Sequence, residues 1–153
     1  VIYNLTKDTY YSNNFDWALQ GKLPASTFKI TNTIIGLETG VIESDSTIFK
    51  WDGEQKWLDL WEQDLVLRDA FPFYCVPCSQ SVASKITLSG KTGLSIANNQ
   101  YNGWFVGYIE VGNDVYFFAT NLEPKSDTIN IQEFNAIRKE ATISALKTIH
   151  TIS

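Results

Sequence analysis

Ser26 and Lys29, in the run Pro24-Ala25-Ser26-Thr27-Phe28-Lys29, place a hydroxyl and an amine three residues apart. On a helix, positions i and i+3 share a face, so the two groups can meet. A serine hydroxyl is a useful nucleophile only when a neighbouring base takes its proton. A lysine can be that base when burial or covalent modification removes its charge. The pair therefore points to acyl transfer through a serine ester. Alone the spacing is weak evidence, because twelve serines and ten lysines in 153 residues generate such a pair about once by accident. An ordinary amphipathic helix is the competing explanation.

A second group lies downstream in Ser89-Gly90-Lys91-Thr92-Gly93, at the end of a predicted strand. A lysine and a threonine beside glycines let a substrate lie along a strand edge, with the ammonium and hydroxyl meeting a carboxylate while the backbone supplies hydrogen bonds. The competing reading is a polar strand end that turns at Gly93. The third candidate is Cys75 and Cys78, the only two cysteines, spaced Cys-Val-Pro-Cys as in redox dithiols. That motif needs a strand in a βαβ setting, which the short aromatic run Ala70 to Tyr74 does not provide. Two small buried residues are the favoured account. With one histidine, His150, near the end of the chain, no metal site is expected.

The elements that must hold these groups follow from pattern. A hydrophobic content of 44%, with nine Phe, seven Tyr and five Trp, is enough for one domain over residues 1–153 with a real core. The net charge of −5 and a pI near 4.8 give no basic footprint, so no nucleic-acid partner is expected. No apolar run reaches the length of a membrane span, so no membrane partner is expected either, and no signal peptide is visible. The first residue is Val1, so a targeting segment could precede it and the compartment is left open.

Val1 to Leu5 and Thr9 to Ser12 read as a hairpin at a sheet edge, and Asn13 to Leu23 as a loop delivering the chain to the Ser26 helix. Pro24 suits the helix start and Gly40 its end. Phe28, Ile30, Ile34, Ile35 and Leu37 surround much of that helix, which predicts that it is buried and that Lys29 is desolvated. Val41 to Gln63 reads as irregular chain anchored by Trp51, Trp57 and Trp61. Short helices are expected over Asp64 to Phe71 and Pro77 to Lys85. Strands are expected at Ile86 to Lys91, Gly103 to Val111 and Val115 to Thr120, the last two joined at Gly112-Asn113-Asp114. Gly107 inside its strand signals a close backbone approach. A last helix, Ile131 to Thr148, offers Phe134, Ile137, Ala141, Ile143, Ala145 and Leu146 to the core. Strands, helices, strands, helix makes the class α+β with an antiparallel sheet flanked by helices.

Pro24 to Lys29, Ile35-Gly36-Leu37-Glu38-Thr39-Gly40-Val41, Phe49-Lys50-Trp51-Asp52-Gly53, Lys91-Thr92-Gly93 and Gly103-Trp104-Phe105-Val106-Gly107-Tyr108 occur in the order found in class D (oxacillinase-type) serine β-lactamases, which this chain resembles over nearly all its length. The resemblance implies a β-lactamase and penicillin-binding-protein-like fold. It makes Ser26 the acylated nucleophile and Lys29 the general base, N-carboxylated by carbon dioxide, with no other cofactor. Lys91 and Thr92 would line the substrate edge. The amides of Ser26 and of Leu94, after Gly93, would form the oxyanion hole, and Arg138 would pair with the substrate carboxylate, against the competing reading of a solvated helix charge.

By the same resemblance, Tyr74-Cys75-Val76 stands where the family carries Ser-x-Val, so Tyr74 replaces a proton-relaying serine beside Val76. Ile86 follows Lys85 where the family has several tens of further residues, so the helical half-domain is shortened. The family's N-terminal helix has no counterpart either. The family's loop whose tryptophan shields the carboxylated lysine also has no counterpart, so water should reach Lys29 more freely and its carboxylation should weaken. The expected activity is acylation of Ser26 by β-lactams or small esters with weakened turnover. The alternative is a penicillin-binding or sensor-like domain without hydrolysis. The uncovered face of the Ser26 helix is expected to take a second copy or another apolar partner. The resemblance implies a periplasmic or secreted location.

Overall fold

The computed structural model describes residues 1–56, 59–70, 86–98, 100–125 and 130–149, which gather into two compact units, Val1–Thr27 with Cys78–Ser153, and Phe28–Pro77. The first unit is built on a five-stranded antiparallel sheet. Strands β1 (Ile2–Asn4) and β2 (Thr9–Tyr11) form the expected hairpin. Strands β5 (Ile86–Ala97), β6 (Gln100–Val111) and β7 (Asp114–Leu122) follow, giving the order β2-β1-β7-β6-β5 with β5 at an edge. The β6–β7 turn uses Gly112 at φ +62°, a left-handed conformation that glycine adopts without steric cost. The α+β class with an antiparallel sheet is as the pattern indicated.

Two strands outrun their expected bounds. β5 does not stop at Lys91 or turn at Gly93 but stays paired with β6 through Gly93↔Trp104 and Leu94↔Gly103. The continuing ladder keeps Gly93 extended, and its glycine serves a close contact instead. Gly107 meets the expectation of a tight approach: a Cβ there would collide with the Ser89 carbonyl oxygen and lie 2.8 Å from Phe118.

One face of this sheet carries Ile2, Phe105, Ile109, Tyr116 and Phe118, which form the core with Leu146 of helix α4 (Ile131–Thr148). The rings of Phe105 and Phe118 lie 5.0 Å apart. Asn130 caps α4 by accepting from the amides of Gln132 and Glu133. The buried face of α4 is Phe134, Arg138, Thr142 and Leu146, one residue per turn. Phe134 and Leu146 face inward as expected, whereas Ile137 and Ile143, 43% and 39% exposed, do not. Two polar residues win the inner face because each finds partners there. Thr142 pairs with Thr120 (Oγ1–Oγ1 2.6 Å) and donates to the Arg138 carbonyl at 3.0 Å, while Arg138 donates to three main-chain carbonyls.

The second unit holds α2 (Phe28–Glu38), a two-stranded sheet of β3 (Ile48–Phe49) with β4 (Leu65–Val66), and α3 (Leu67–Ala70). Gly40 ends α2 at φ +74°, as expected, and the Ile42 amide then donates to the Gly36 carbonyl at 2.9 Å. Ile42 packs so closely on Gly36 that a Cβ there would lie 2.5 Å from Ile42 Cδ1. The expectation of a buried α2 is corrected: none of its residues is buried, and Phe28, Ile34, Ile35 and Leu37 are 47–54% exposed. Apolar residues encircle this helix, and the cover at Gly36 from Ile42 reaches only one side of it. Trp51 and Trp61 stay more than a third exposed, but Trp51 Nε1 donates to the Glu54 carbonyl at 2.9 Å, and Lys50–Asp64, Lys56–Asp52 and Arg68–Asp45 ion pairs also lace the irregular stretch. Trp57 and the expected helix from Pro77 to Lys85 lie outside the described residues. Among the described residues no helix is long and apolar enough to cross a membrane.

Candidate active site

Ser26 is half-buried in a 3₁₀ turn, Ala25–Thr27, at the end of the long N-terminal run of the first unit. Thr27 closes the turn by donating from its amide to the Pro24 carbonyl at 3.1 Å, and its hydroxyl donates to the same oxygen. Ala25, just before Ser26, holds φ +50°, a left-handed conformation that costs a residue with a Cβ about 1 kcal/mol. The turn rests on the edge strand. A Cβ on Gly93 would lie 3.0 Å from the Pro24 oxygen and 3.0 Å from Thr27 Cγ2. Glycine at 93 is thus what lets the Ser26 turn sit directly on β5.

Residues of Asn13–Leu23, expected as a plain loop, hold this turn in place. Within Asn13–Leu23, Phe15–Ala18 is a helical turn (α1) capped by the Asn14 side chain, which accepts from the Trp17 amide. Trp17 Nε1 donates to Asn121 Oδ1 at 3.2 Å, and Trp104 Nε1 donates to the Leu23 carbonyl at 2.8 Å. Lys22 stands over the Trp17 ring, 3.9 Å from its centre, and pairs with Glu123 at 3.0 Å. The Lys22 hydrogen bond, helped by the Asn102 amide, holds the Glu123 carboxyl below its ordinary range against partial desolvation. These ties join residues about a hundred positions apart, so no local pattern announces them.

Along β5, Lys91 is 3% exposed and Gly93 is buried, while Thr92 and Leu94 are half-buried. Lys91 Nζ lies 3.5 Å from the Thr92 carbonyl. Arg138 is 1% exposed, which sets aside the reading of a solvated helix charge. Its Nη1 donates to the Gly93 carbonyl and, at 3.1 Å, to that of Trp104; Nε donates to the Phe134 carbonyl at 3.3 Å. Burial pushes the guanidinium pKa down. Its stem crosses Gly103, where a Cβ would lie 2.6 Å from Arg138 Cδ. The structure thus gathers the Ser26 turn, Gly93, Leu94 and Arg138 around one stretch of β5.

Lys29 belongs to the second unit, in the first turn of α2, and is exposed. It borders an open groove of about 370 Å³, shared with Asn32, Thr33, Gly36, Ile42 and Phe49. The expected desolvation of Lys29 is therefore corrected, for the same reason that α2 is not buried. Tyr74, Cys75, Val76 and Cys78 lie outside the described residues. Among the described residues no three His, Cys, Asp or Glu side chains group as metal ligands.

Residues 3–89 match the model of the penicillin binding protein transpeptidase domain. β-Lactamase OXA-19 of Pseudomonas aeruginosa is 49% identical over 75 residues, 49% of this chain and 28% of that protein. β-Lactamase OXA-48 of Klebsiella pneumoniae is 27% identical over 214 residues, 92% of this chain and 80% of that protein. The crystal structure of the class D β-lactamase YbXI from Nostoc matches with a TM-score of 0.75 at 28% identity, covering 97% of this chain and 92% of that one. Against OXA-19, the chain thus spans little more than a quarter of the relative's length.

Proposed function

Since the chain belongs to the penicillin-binding protein transpeptidase domain family, we propose that it is a serine acyl-transfer domain whose Ser26 is acylated by β-lactams or small esters, with slow release of the acyl group. The observation that carries this reading is the seat of the Ser26 turn on Gly93, beside Lys91, Thr92 and Leu94 on an edge strand. Ser26 Oγ attacks the lactam carbonyl, forming a C–O bond as the C–N bond breaks. The serine proton passes to a base and then to the leaving nitrogen. The amides of Ser26 and Leu94 receive the charge that develops on the carbonyl oxygen. Lys91 and Thr92 bind the substrate's carboxylate side.

Lys29 is the base in this scheme, and carbon dioxide adding to its amine would give the carbamate that serves best. Such an adduct needs an amine shielded from water, and Lys29 is exposed. The same exposure supports the second reading, a penicillin-binding or sensor-like domain that acylates without turnover. The uncovered apolar residues of α2 make a second copy of this chain the natural occupant of that face. A periplasmic or secreted setting accords with a β-lactam substrate.

Intact-mass measurement after incubation with a penicillin tests the reading. Wild type should gain the mass of one penicillin, and Ser26→Ala should gain none. Equal labelling of both, or equal hydrolysis of a chromogenic ester, would refute acylation at Ser26.

A further inference from the structure

The Arg138 guanidinium is buried yet spends its hydrogen bonds on main-chain carbonyls, and those carbonyls are not scattered. The Gly93 carbonyl belongs to the same peptide group as the Leu94 amide. A trans peptide is planar, with C=O and N–H on opposite sides, so a hand on the oxygen sets the direction of the N–H. Nη1 also takes the carbonyl of Trp104, the residue paired with Gly93 across β5 and β6, which ties that peptide to its neighbour strand. The guanidinium is fixed from the other side by the Phe134 carbonyl and the Phe134 ring, 5.1 Å away. Its path to β5 is open because residue 103, opposite Leu94, has no side chain. Among the described residues β5 is paired only with β6, and the guanidinium adds a further hold on this strand.

We infer that Arg138 is a positioning residue for acyl transfer: by gripping the Gly93 carbonyl it holds the Gly93–Leu94 peptide in the plane that aims the Leu94 amide at the developing oxyanion. This rests on the reading of Ser26 as nucleophile and Leu94 as oxyanion donor. It differs from a direct contact between Arg138 and the substrate carboxylate, because a substrate without a carboxylate should feel the loss of Arg138 just as strongly.

The test uses wild type and Arg138→Lys with two acylating reagents, a penicillin, which carries a carboxylate, and p-nitrophenyl acetate, which carries none. Ser26→Ala serves as the blank. Arg138→Lys should slow acylation by both reagents by a similar factor, on the order of tenfold to a hundredfold, as expected for a misaimed oxyanion donor. It should also displace the Leu94 amide resonance in an ¹⁵N spectrum. Loss confined to the penicillin, or an unmoved Leu94 resonance, would overturn the inference. In wild type alone, scalar coupling across the hydrogen bond from the Arg138 guanidinium to the Gly93 carbonyl carbon should be detectable, and its absence would overturn the inference even if the variant does not fold. If neither reagent acylates wild type, the reading of Ser26 fails, while the Leu94 resonance and the coupling still decide whether Arg138 sets that peptide.

Discussion

The two units of this chain hold the residues proposed as nucleophile and base by different means. In the sheet unit the Ser26 turn is seated on Gly93, tied by Trp17, Trp104 and Lys22, and backed by a buried arginine whose donors go to main-chain carbonyls. In the α2 unit, Lys29 stands on a helix with no buried residue, and Ile42 is its one buried hydrophobic side chain among the described residues. A nucleophile needs position and a lysine base needs dryness. On the proposed reading, the sheet unit meets the first need at Ser26, and the second, at Lys29, falls to whatever covers α2.

The sharpest way to break this contrast is at the tightest backbone contact. Gly107→Ala would force a Cβ against the Ser89 carbonyl, which cannot yield without moving a strand, so a loss upward of about 4 kcal/mol is expected in denaturant unfolding. Next, Leu146→Ala should cost about 2–5 kcal/mol, because a fully buried side chain leaves a cavity. Ile34→Ala on α2 should change stability by no more than about 0.5 kcal/mol. Equal costs for these two would erase the distinction between the units. In the same series, Ile34→Lys should weaken self-association measured by light scattering against concentration if a second copy covers α2; unchanged association would point to another occupant.

Smaller effects probe the Ser26 turn itself. Ala25→Gly removes a left-handed alanine and should stabilise by a few tenths to about 1 kcal/mol, read as a raised melting temperature. A lowered melting temperature would mean that Ala25 packs in a way that outweighs its strain. The Glu123 carboxyl is depressed below its ordinary value of 4.5, so its pairing with Lys22 stabilises the fold above that pH and is lost as pH falls through it toward the native value. Because the carboxylate is partly exposed, the contribution is at most about 1 kcal/mol. Glu123→Gln should therefore lower the melting temperature slightly at pH 7 and leave it unchanged at pH 3.

Much of this was legible in the sequence where the signal is local. The 3.6-residue spacing in Ile131–Thr148, the Gly40 stop and the Gly112 turn each declare themselves within a few residues. The order of the Ser26 and Lys91 motifs likewise carried the family resemblance. What was not legible depends on partners distant in the chain. Counting apolar residues finds Phe134 and Leu146 on the inner face of α4 but misses Arg138 and Thr142 between them, because nothing nearby says that Thr120 awaits Thr142 or that Gly103 admits Arg138. The role of Gly93 was ambiguous for the same reason, since a glycine that ends a strand and one that accommodates a turn packed on it look alike until Pro24 and Thr27 are seen against it. The burial of α2 was misjudged because a helix apolar all round predicts a cover without supplying one.

The central proposal, a well-held nucleophile at Ser26 and an exposed base at Lys29, is tested most directly by the lifetime of the penicillin adduct on wild type, followed by intact mass after excess reagent is removed. An adduct at Ser26 should persist for many minutes. An adduct that clears within seconds, or a wild type that is never labelled, would contradict it.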